Sequence, residues 1–140
     1  MPHCQCPSPS LARGLLHADN VHSLLRRTQV YIRAGKYAGA EVQANGWALL
    51  YNSKMALQGA SKPTTVTLSG ATSIPKGATR SLFVWIPNDR VRYAVGTREG
   101  ALVSRDGALR LYEGVGITAR FAGTRATSVQ APRIFRGVVR

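Results

Sequence analysis

The chain has 140 residues and a mass of 15.1 kDa, a size that fits one domain. Hydrophobic residues make up 44% and charged residues 18% of the sequence, so wholesale disorder is excluded and a folded core is expected. No apolar run reaches the ~20 residues of a membrane-spanning helix, so no membrane contact is expected. The net charge of +13 indicates a polyanionic partner, but the basic residues are spread along the chain, which makes nucleic-acid binding a secondary expectation.

The N-terminal region is predicted to be an extended arm followed by a short helix. Pro2, Pro7 and Pro9 disfavour regular structure in the first ten residues. From residue 11 to residue 27, apolar side chains recur at spacings of three and four, which predicts a helical stripe consisting of Leu11, Leu15, Ala18, Val21 and Leu25. We expect residues 1–27 to dock on a neighbouring subunit, with packing against the chain's own core as the alternative. Residues 28–140 are the predicted β domain.

From Thr28 onward the pattern changes to period two, which predicts strands. Trp47, Leu49 and Tyr51 are expected on one face of a strand, and Val66 and Leu68 alternate with threonines. The apolar run at 82–86 predicts a core strand that is covered on both sides. In the following strand, alternation predicts that the side chains of Val91, Tyr93 and Val95 face the core.

Turn signals recur every 8–12 residues and separate roughly nine or ten short strands. Asp106-Gly107 predicts a hairpin turn with positive φ, and the regular turns between residues 81 and 121 predict a meander. The expected fold class is therefore mainly β, an antiparallel β-sandwich or barrel with an N-terminal extended arm and a short helix.

Two motifs have residues of the kind that bind a metal or a cofactor. Two thiolates and two imidazoles form a tetrahedral zinc set, and the weak candidate ligands are Cys4, Cys6, His17 and His22. The single residue between the cysteines is tighter than the usual spacing, so two reduced thiols in an arm are the favoured interpretation. Gly114-x-Gly116-x-x-Ala119 matches a dinucleotide fingerprint, but the next residues alternate like a strand where that motif needs a helix. No metal and no cofactor is expected.

No catalytic residues are predicted, and the chain is not expected to be an enzyme. All three histidines lie in residues 3–22, before the β region, and the six acids are explained by turn chemistry and pairing with arginine. These acids are Asp19, Glu41, Asp89, Glu99, Asp106 and Glu113.

Aromatic and arginine side chains alternate in the β region. Trp85, Tyr93 and Phe121 are in phase with aliphatic residues, so core packing is expected rather than stacking on bases. Outward arginines fit acidic surfaces of protein partners, because the guanidinium group forms bidentate pairs with carboxylates. The predicted partner-binding arginines are Arg90, Arg92, Arg110 and Arg120.

The segments Arg90–Tyr93, Gly100–Val103, Leu109–Tyr112 and Ile117–Phe121 resemble a pattern in small accessory virion proteins of tailed bacteriophages. In those proteins a Val-Arg-Tyr strand, a glycine turn, a short strand and a final strand build a compact β domain. The resemblance covers roughly residues 75–125. It implies a capsid decoration or cement protein, a head fibre, or a head–tail or tail accessory protein.

Such a protein is made in the host bacterial cytoplasm, is present in many copies or as a homo-oligomer, and contacts capsid, portal, connector or tail subunits in the virion. The alternative function, which the charge indicates, is a basic nucleic-acid-binding β-barrel module.

Overall fold

A computed structural model describes residues 13–16, 25–58, 62–68, 73–87 and 91–139. These residues contain β-strands and turns and no helix, and therefore no helix able to cross a membrane. The strands are β1 (Arg13–Leu16), β2 (Leu25–Ala34), β3 (Ala48–Ala56), β4 (Thr64–Thr67), β5 (Arg80–Trp85), β6 (Tyr93–Val95), β7 (Leu102–Asp106), β8 (Leu109–Tyr112), β9 (Gly114–Ile117), β10 (Val129–Phe135) and β11 (Gly137–Val139).

The described strands form four antiparallel sheets. Their strand orders are β11-β1-β4, β3-β2-β5, β6-β10-β9 and β7-β8. The prediction of a mainly β, antiparallel fold is confirmed. The barrel alternative is wrong for the described strands, because none of the four sheets closes on itself.

The predicted helix between residues 11 and 27 is wrong where the structure describes that segment. Arg13–Leu16 forms β1, which pairs with both β4 and β11, and β2 already begins at Leu25. Two ladders of backbone hydrogen bonds satisfy the groups that a helix would have paired internally, so pairing with distant strands overrides the local spacing. The predicted domain boundary after residue 27 falls inside β2.

The hydrophobic core lies beneath the sheet β3-β2-β5. Its buried members are Val30, Leu57, Val66, Leu68 and Ile86. Half-buried side chains pack against them from β3, β5 and β10 and from a residue two positions before β6, and these are Leu50, Tyr51, Met55, Val84, Val91 and Phe135. The alternation predicted for β4 is confirmed, since Val66 and Leu68 are 1% and 5% exposed.

The central strand of the sheet over this core is β2, whereas β5 is at its edge. Val30 pairs with Tyr51 and Val84 on the core side, and Tyr31 pairs with Leu49 and Phe83 on the other side. The register between β2 and β3 shifts at this point, so one extra β3 residue lies opposite the bond between Val30 and Tyr31. Leu49 and Tyr51 therefore face opposite sides of the sheet, and the prediction that they share one face is wrong.

The predicted hairpin is confirmed as β7 and β8, which are joined by Gly107 and Ala108. Its turn does not use the expected positive φ, because Gly107 lies outside the left-handed region. The predicted meander is wrong, since β6 and β9 flank β10 and β5 pairs with β2.

The inward orientation predicted for the strand after residue 90 is confirmed only at Val91, which packs against the core. Tyr93 and Val95 are 46% and 72% exposed, so the prediction is wrong for both of them. The strand β6 is only three residues long and lies at a sheet edge, which leaves these side chains near solvent.

Candidate functional site

The described members of the predicted partner-binding site belong to different elements of the fold. Arg92 precedes β6, Arg110 lies in β8, and Arg120 follows β9, and all three are exposed. Leu25 begins β2 and is 61% exposed, whereas Leu15 lies in β1. Leu11, Val21 and Arg90 lie outside the described residues. The docking role of these eight residues stays a prediction.

The weak zinc candidates Cys4, Cys6, His17 and His22 also lie outside the described residues. Within the described ranges, no three His, Cys, Asp or Glu side chains are grouped closely enough to hold a metal ion. Gly114 and Gly116 lie inside the strand β9, and the residues that follow form bends and turns, so the segment lacks the helix that a dinucleotide-binding loop requires.

Five half-buried rings cluster on the side of β3-β2-β5 that faces away from the core. We call this group the aromatic face, and its members are Tyr31, Trp47, Phe83, Trp85 and Phe121. Phe83 is central, because its ring centroid lies 5.1 to 6.3 Å from the other four. Stacked, tilted and edge-on pairs at these distances are favourable arrangements of aromatic rings. The prediction that Trp85 and Phe121 pack as part of the core is therefore replaced by packing in a separate, partly exposed cluster.

Phe121 occupies an uncommon backbone conformation. Its φ of 50° lies in the left-handed region, where bulky side chains are rare. Its ring centroid is 5.1 Å from those of both Tyr31 and Phe83, in edge-on geometry. These contacts hold the strained residue in place, so the surrounding packing over-determines its position.

The connection between β9 and β10 carries Phe121 and is fastened at two points. At its base, Thr118 N donates to Ser128 O at 3.1 Å, and Ser128 N donates to Thr118 Oγ1 at 2.8 Å. Near its tip, Gly123 N donates to Val42 O at 2.9 Å, which joins it to the connection between β2 and β3. The aromatic face is therefore completed by two loops that support each other.

A chain of hydrogen bonds crosses the sheet beside the aromatic face. Arg27 Nη1 donates to Asn52 Oδ1 at 3.0 Å, and Gln29 Nε2 donates to the same oxygen at 3.4 Å. Arg120 Nη1 donates to Gln29 Oε1 and, at 3.4 Å, to the hydroxyl of Tyr31. The partners in these hydrogen bonds are neutral, so the bonds themselves do not compensate the positive charge of either guanidinium group.

Glu113 is the most buried acid among the described residues, at 5% exposure. Thr97 donates its backbone N–H to both carboxylate oxygens at 3.1 and 2.8 Å and its hydroxyl to Oε1 at 3.0 Å. Arg98 N donates to Oε2 at 2.9 Å. These bonds, led by that of the Thr97 backbone, hold the pKa of Glu113 below its ordinary value of 4.5. The carboxylate therefore works as an anchor for the loop at 96–98.

A second acid joins two loops. The Tyr37 hydroxyl donates to Glu99 Oε1 at 2.7 Å. Burial, together with the hydrogen bond and the negative charge of Glu99, raises the pKa of Tyr37 above its usual 10.0. Sequence reasoning had assigned Glu99 and Glu113 to turn chemistry and arginine pairing, and it missed both contacts because their partners lie far away in the sequence.

The strands β7 and β8 form a ribbon that carries exposed apolar and cationic pairs. Leu102 and Tyr112 face each other across the ribbon and are 50% and 47% exposed. Arg105 is opposite Arg110, while the nearby Asp106 carboxylate accepts a 2.7 Å hydrogen bond from Gly107 N. Like charges directly opposite in a ribbon are destabilising, so this end of the ribbon favours an anionic partner.

The sheet β6-β10-β9 presents a further aromatic–cation pair. The Arg133 guanidinium lies 5.0 Å from the centre of the Tyr93 ring, and Arg133 Nη2 donates to Gln130 Oε1 at 3.4 Å. Tyr93 was predicted to lie in the core, but here its ring supports a cation at a partly exposed position.

No protein-family model, curated protein or solved structure matches the chain.

Proposed function

We propose that the protein is a structural component of a bacteriophage virion, a decoration, fibre or tail accessory protein that acts through protein–protein contacts. In this proposal the four described antiparallel sheets stack as a β-sandwich around the hydrophobic core that contains Val30 of β2. The resemblance of residues 90–121 to small accessory virion proteins supports this role, and so does the exposed ribbon.

The exposed β7–β8 ribbon is the main structural support for this proposal. Neither strand pairs with any other described strand, and a two-stranded hairpin is only marginally stable alone in water. The exposed pair Leu102 and Tyr112 adds apolar surface of the kind that protein interfaces bury. A ribbon with free edges and an apolar face gains stability when it docks on another subunit.

The base of the ribbon is held firmly, which favours a docking role over a loose loop. Glu113 N donates to Ala101 O at 2.8 Å, and Gly100 N donates to Glu113 O at 3.1 Å. The side chain of the same Glu113 binds the loop at 96–98. Backbone and side chain of one residue therefore fix the ribbon to the body of the protein.

The charge of the ribbon defines the partner surface. Arg105 and Arg110 are both exposed, and Asp106 between them in sequence binds its neighbouring backbone. The proposed partner is accordingly a capsid or tail subunit with an acidic surface, because guanidinium groups form bidentate pairs with carboxylates.

Quantitative mass spectrometry of purified virions of the phage that encodes the chain tests the proposal. We expect the protein in many copies per particle. A protein that is abundant in infected cells but absent from purified particles would refute the structural role.

A variant series then tests the ribbon. The double variant Leu102→Thr/Tyr112→Thr keeps strand-forming residues and removes the apolar pair, so its incorporation in place of the native copy should fall by about tenfold. Val129→Thr is the matched control, since Val129 is 45% exposed on β10, outside the ribbon. Equal incorporation of the ribbon variant and the control would move the docking surface elsewhere.

A further inference from the structure

The outer side of the sheet β3-β2-β5 combines rings and positive charge in an ordered array. Cross-strand register places side chains in rows, because directly opposed residues of antiparallel strands share a face. The rows are Lys54 with Arg27, then Asn52 with Gln29 and Trp85, then Leu49 with Tyr31 and Phe83. Arg27 and Lys54 thus lie at one end of the aromatic face, and the amide side chains of Gln29 and Asn52 lie between them and Tyr31.

Arg27, Lys54 and Arg120 are the exposed cations of this surface, and we call them the basic row. Arg27 and Arg120 bond only to amide and hydroxyl groups in the hydrogen bonds that the structure shows, so their charge is not neutralised there.

The described acids are engaged elsewhere. Glu113 binds the loop at 96–98, Asp106 binds Gly107 N, and Glu99 accepts from Tyr37, whose ring also feels the charge of Glu41. None of these four acids bonds to the basic row within the described residues. Among the described residues, therefore, no acid compensates the positive charge of this surface, and its rings keep part of their area exposed.

The array is held in a fixed arrangement before any ligand binds. Gln29 is 6% exposed and is bonded on both sides, to Asn52 and to Arg120. Phe121, whose φ is 50°, contacts the rings of Tyr31 and Phe83 edge-on and restricts their movement. An ordered surface loses little conformational freedom on binding, which favours affinity.

We propose that this surface, made of the aromatic face and the basic row, binds single-stranded nucleic acid. Unpaired bases expose the π faces that aromatic side chains stack on, while Arg27, Lys54 and Arg120 contact the phosphates. A duplex does not offer those base faces, and rings that are half-buried in a sheet do not reach the base edges in its grooves. The surface is separate from the β7–β8 ribbon, so binding here and incorporation into particles stand or fall independently.

The test uses the full chain and a labelled oligothymidylate of about 12 nucleotides, within the range of known single-strand sites. Both tryptophans of the chain belong to the aromatic face, so their fluorescence reports on this surface alone. We expect saturable quenching of tryptophan fluorescence and a rise in the anisotropy of the label over the same concentration range. Absence of binding at low salt would overturn the proposal.

Two variants separate stacking from charge. Trp85→Leu should weaken binding by about 5- to 100-fold, and Trp47 remains as the fluorescent reporter. Arg27→Gln/Lys54→Gln should reduce the slope of log affinity against log salt by roughly 0.7 for each lost phosphate contact. These two positions are exposed, so the charge variant remains informative if Trp85→Leu does not fold.

The matched control removes two positive charges from the β3–β4 and β4–β5 connections, as Lys62→Gln/Lys76→Gln. It should retain wild-type affinity apart from a small non-specific change. If it weakens binding as much as the Arg27/Lys54 variant does, the attraction is due to net charge and the proposal is overturned. Equal affinity for a duplex of the same length, or for heparin with no response to Trp85→Leu, would assign the surface to another polyanion and would also overturn it.

Discussion

Replacing Gly96 with alanine tests whether the buried Glu113 carboxylate stabilises this end of the protein. A Cβ at Gly96 would overlap Oε2 of Glu113 and would lie 2.7 Å from its Cδ and 3.1 Å from Cβ of Pro132. The φ of Gly96 is not in the left-handed region, so an alanine is opposed by the clash and not by its backbone conformation. Overpacking of this kind costs about 1–3 kcal/mol of unfolding free energy.

Two other glycines provide the controls. A Cβ at Gly107 meets nothing within 4 Å at an ordinary φ, so Gly107→Ala should be neutral or stabilising by about 0.4–1 kcal/mol. A Cβ at Gly100 also meets open space, but its φ is 76°, so Gly100→Ala isolates the backbone cost of about 1–2 kcal/mol. Urea unfolding followed by tryptophan fluorescence measures the unfolding free energy of all three variants. In thermal unfolding, a loss of 2 kcal/mol should lower Tm by about 5–10 °C in a domain of this size.

The pH dependence of stability identifies the carboxylate as the cause. The pKa of Glu113 is lowered in the folded state, so its stabilising contribution is complete above the ordinary value of 4.5 and is lost as the pH falls below it. In Gly96→Ala the displaced carboxylate loses its donors and its pKa returns toward the ordinary value. The acid-side decline in unfolding free energy should therefore be shallower in Gly96→Ala than in Gly107→Ala. Parallel declines, or equal stability of the two variants at neutral pH, would refute the anchoring role.

Three further experiments have defined outcomes. Phe121→Ala keeps the strained φ and removes three ring contacts, so it should cost about 2–4 kcal/mol in urea unfolding, and a neutral result would contradict the bracing of the aromatic face. Tyr37→Phe should remove part of the stability loss above pH 10, because the pKa of Tyr37 is raised in the folded state and its hydroxyl ionises at a lower pH in the unfolded chain. If the Tm of this variant falls with alkaline pH as steeply as that of the wild type, this reasoning is wrong. Val66→Ala should cost about 2 kcal/mol in urea unfolding at a site 1% exposed, whereas Val95→Ala, at 72% exposed, should change little; similar losses would place the core elsewhere.

The strands were predictable where alternation is local. Thr64 to Leu68 alternate in sequence and in burial, and the segment from Thr28 to Arg33 is a strand as expected, although both of its faces are covered. The register shift opposite Tyr31 was not predictable, because no glycine or proline marks the extra residue between Leu49 and Tyr51. One inserted residue reverses the faces of everything beyond it, so a correct strand assignment still gave a wrong face for Leu49.

The helix prediction failed for a different reason. Spacings of three and four arise by chance in short segments, and Gly14 in the middle of β1 is a weak helix former. The pairing of β1 with β4 and β11 depends on residues far along the chain. Periodicity within a window cannot contain that information.

The candidate surface could be predicted only in part. Alternation placed Tyr31 on a strand and the apolar run at 82–86 placed Phe83 on another, but Trp47 and Phe121 reach the aromatic face from connections whose course is set by contacts between loops. The Glu113 anchor had no local signal either, because its donors Thr97 and Arg98 precede it by a whole hairpin.

The position of β1 between β4 and β11 determines which sheets of the protein form early and which form late during folding. The ladder from Gly14 to Val139 closes a loop that spans nearly the whole described chain, and long loops are entropically costly to close. The β7–β8 hairpin, by contrast, closes over a two-residue turn and forms early. The sheet β11-β1-β4 is consequently a late product of folding, and until β1 pairs with β4, the edge of β4 that β1 later covers is open to strands of other molecules.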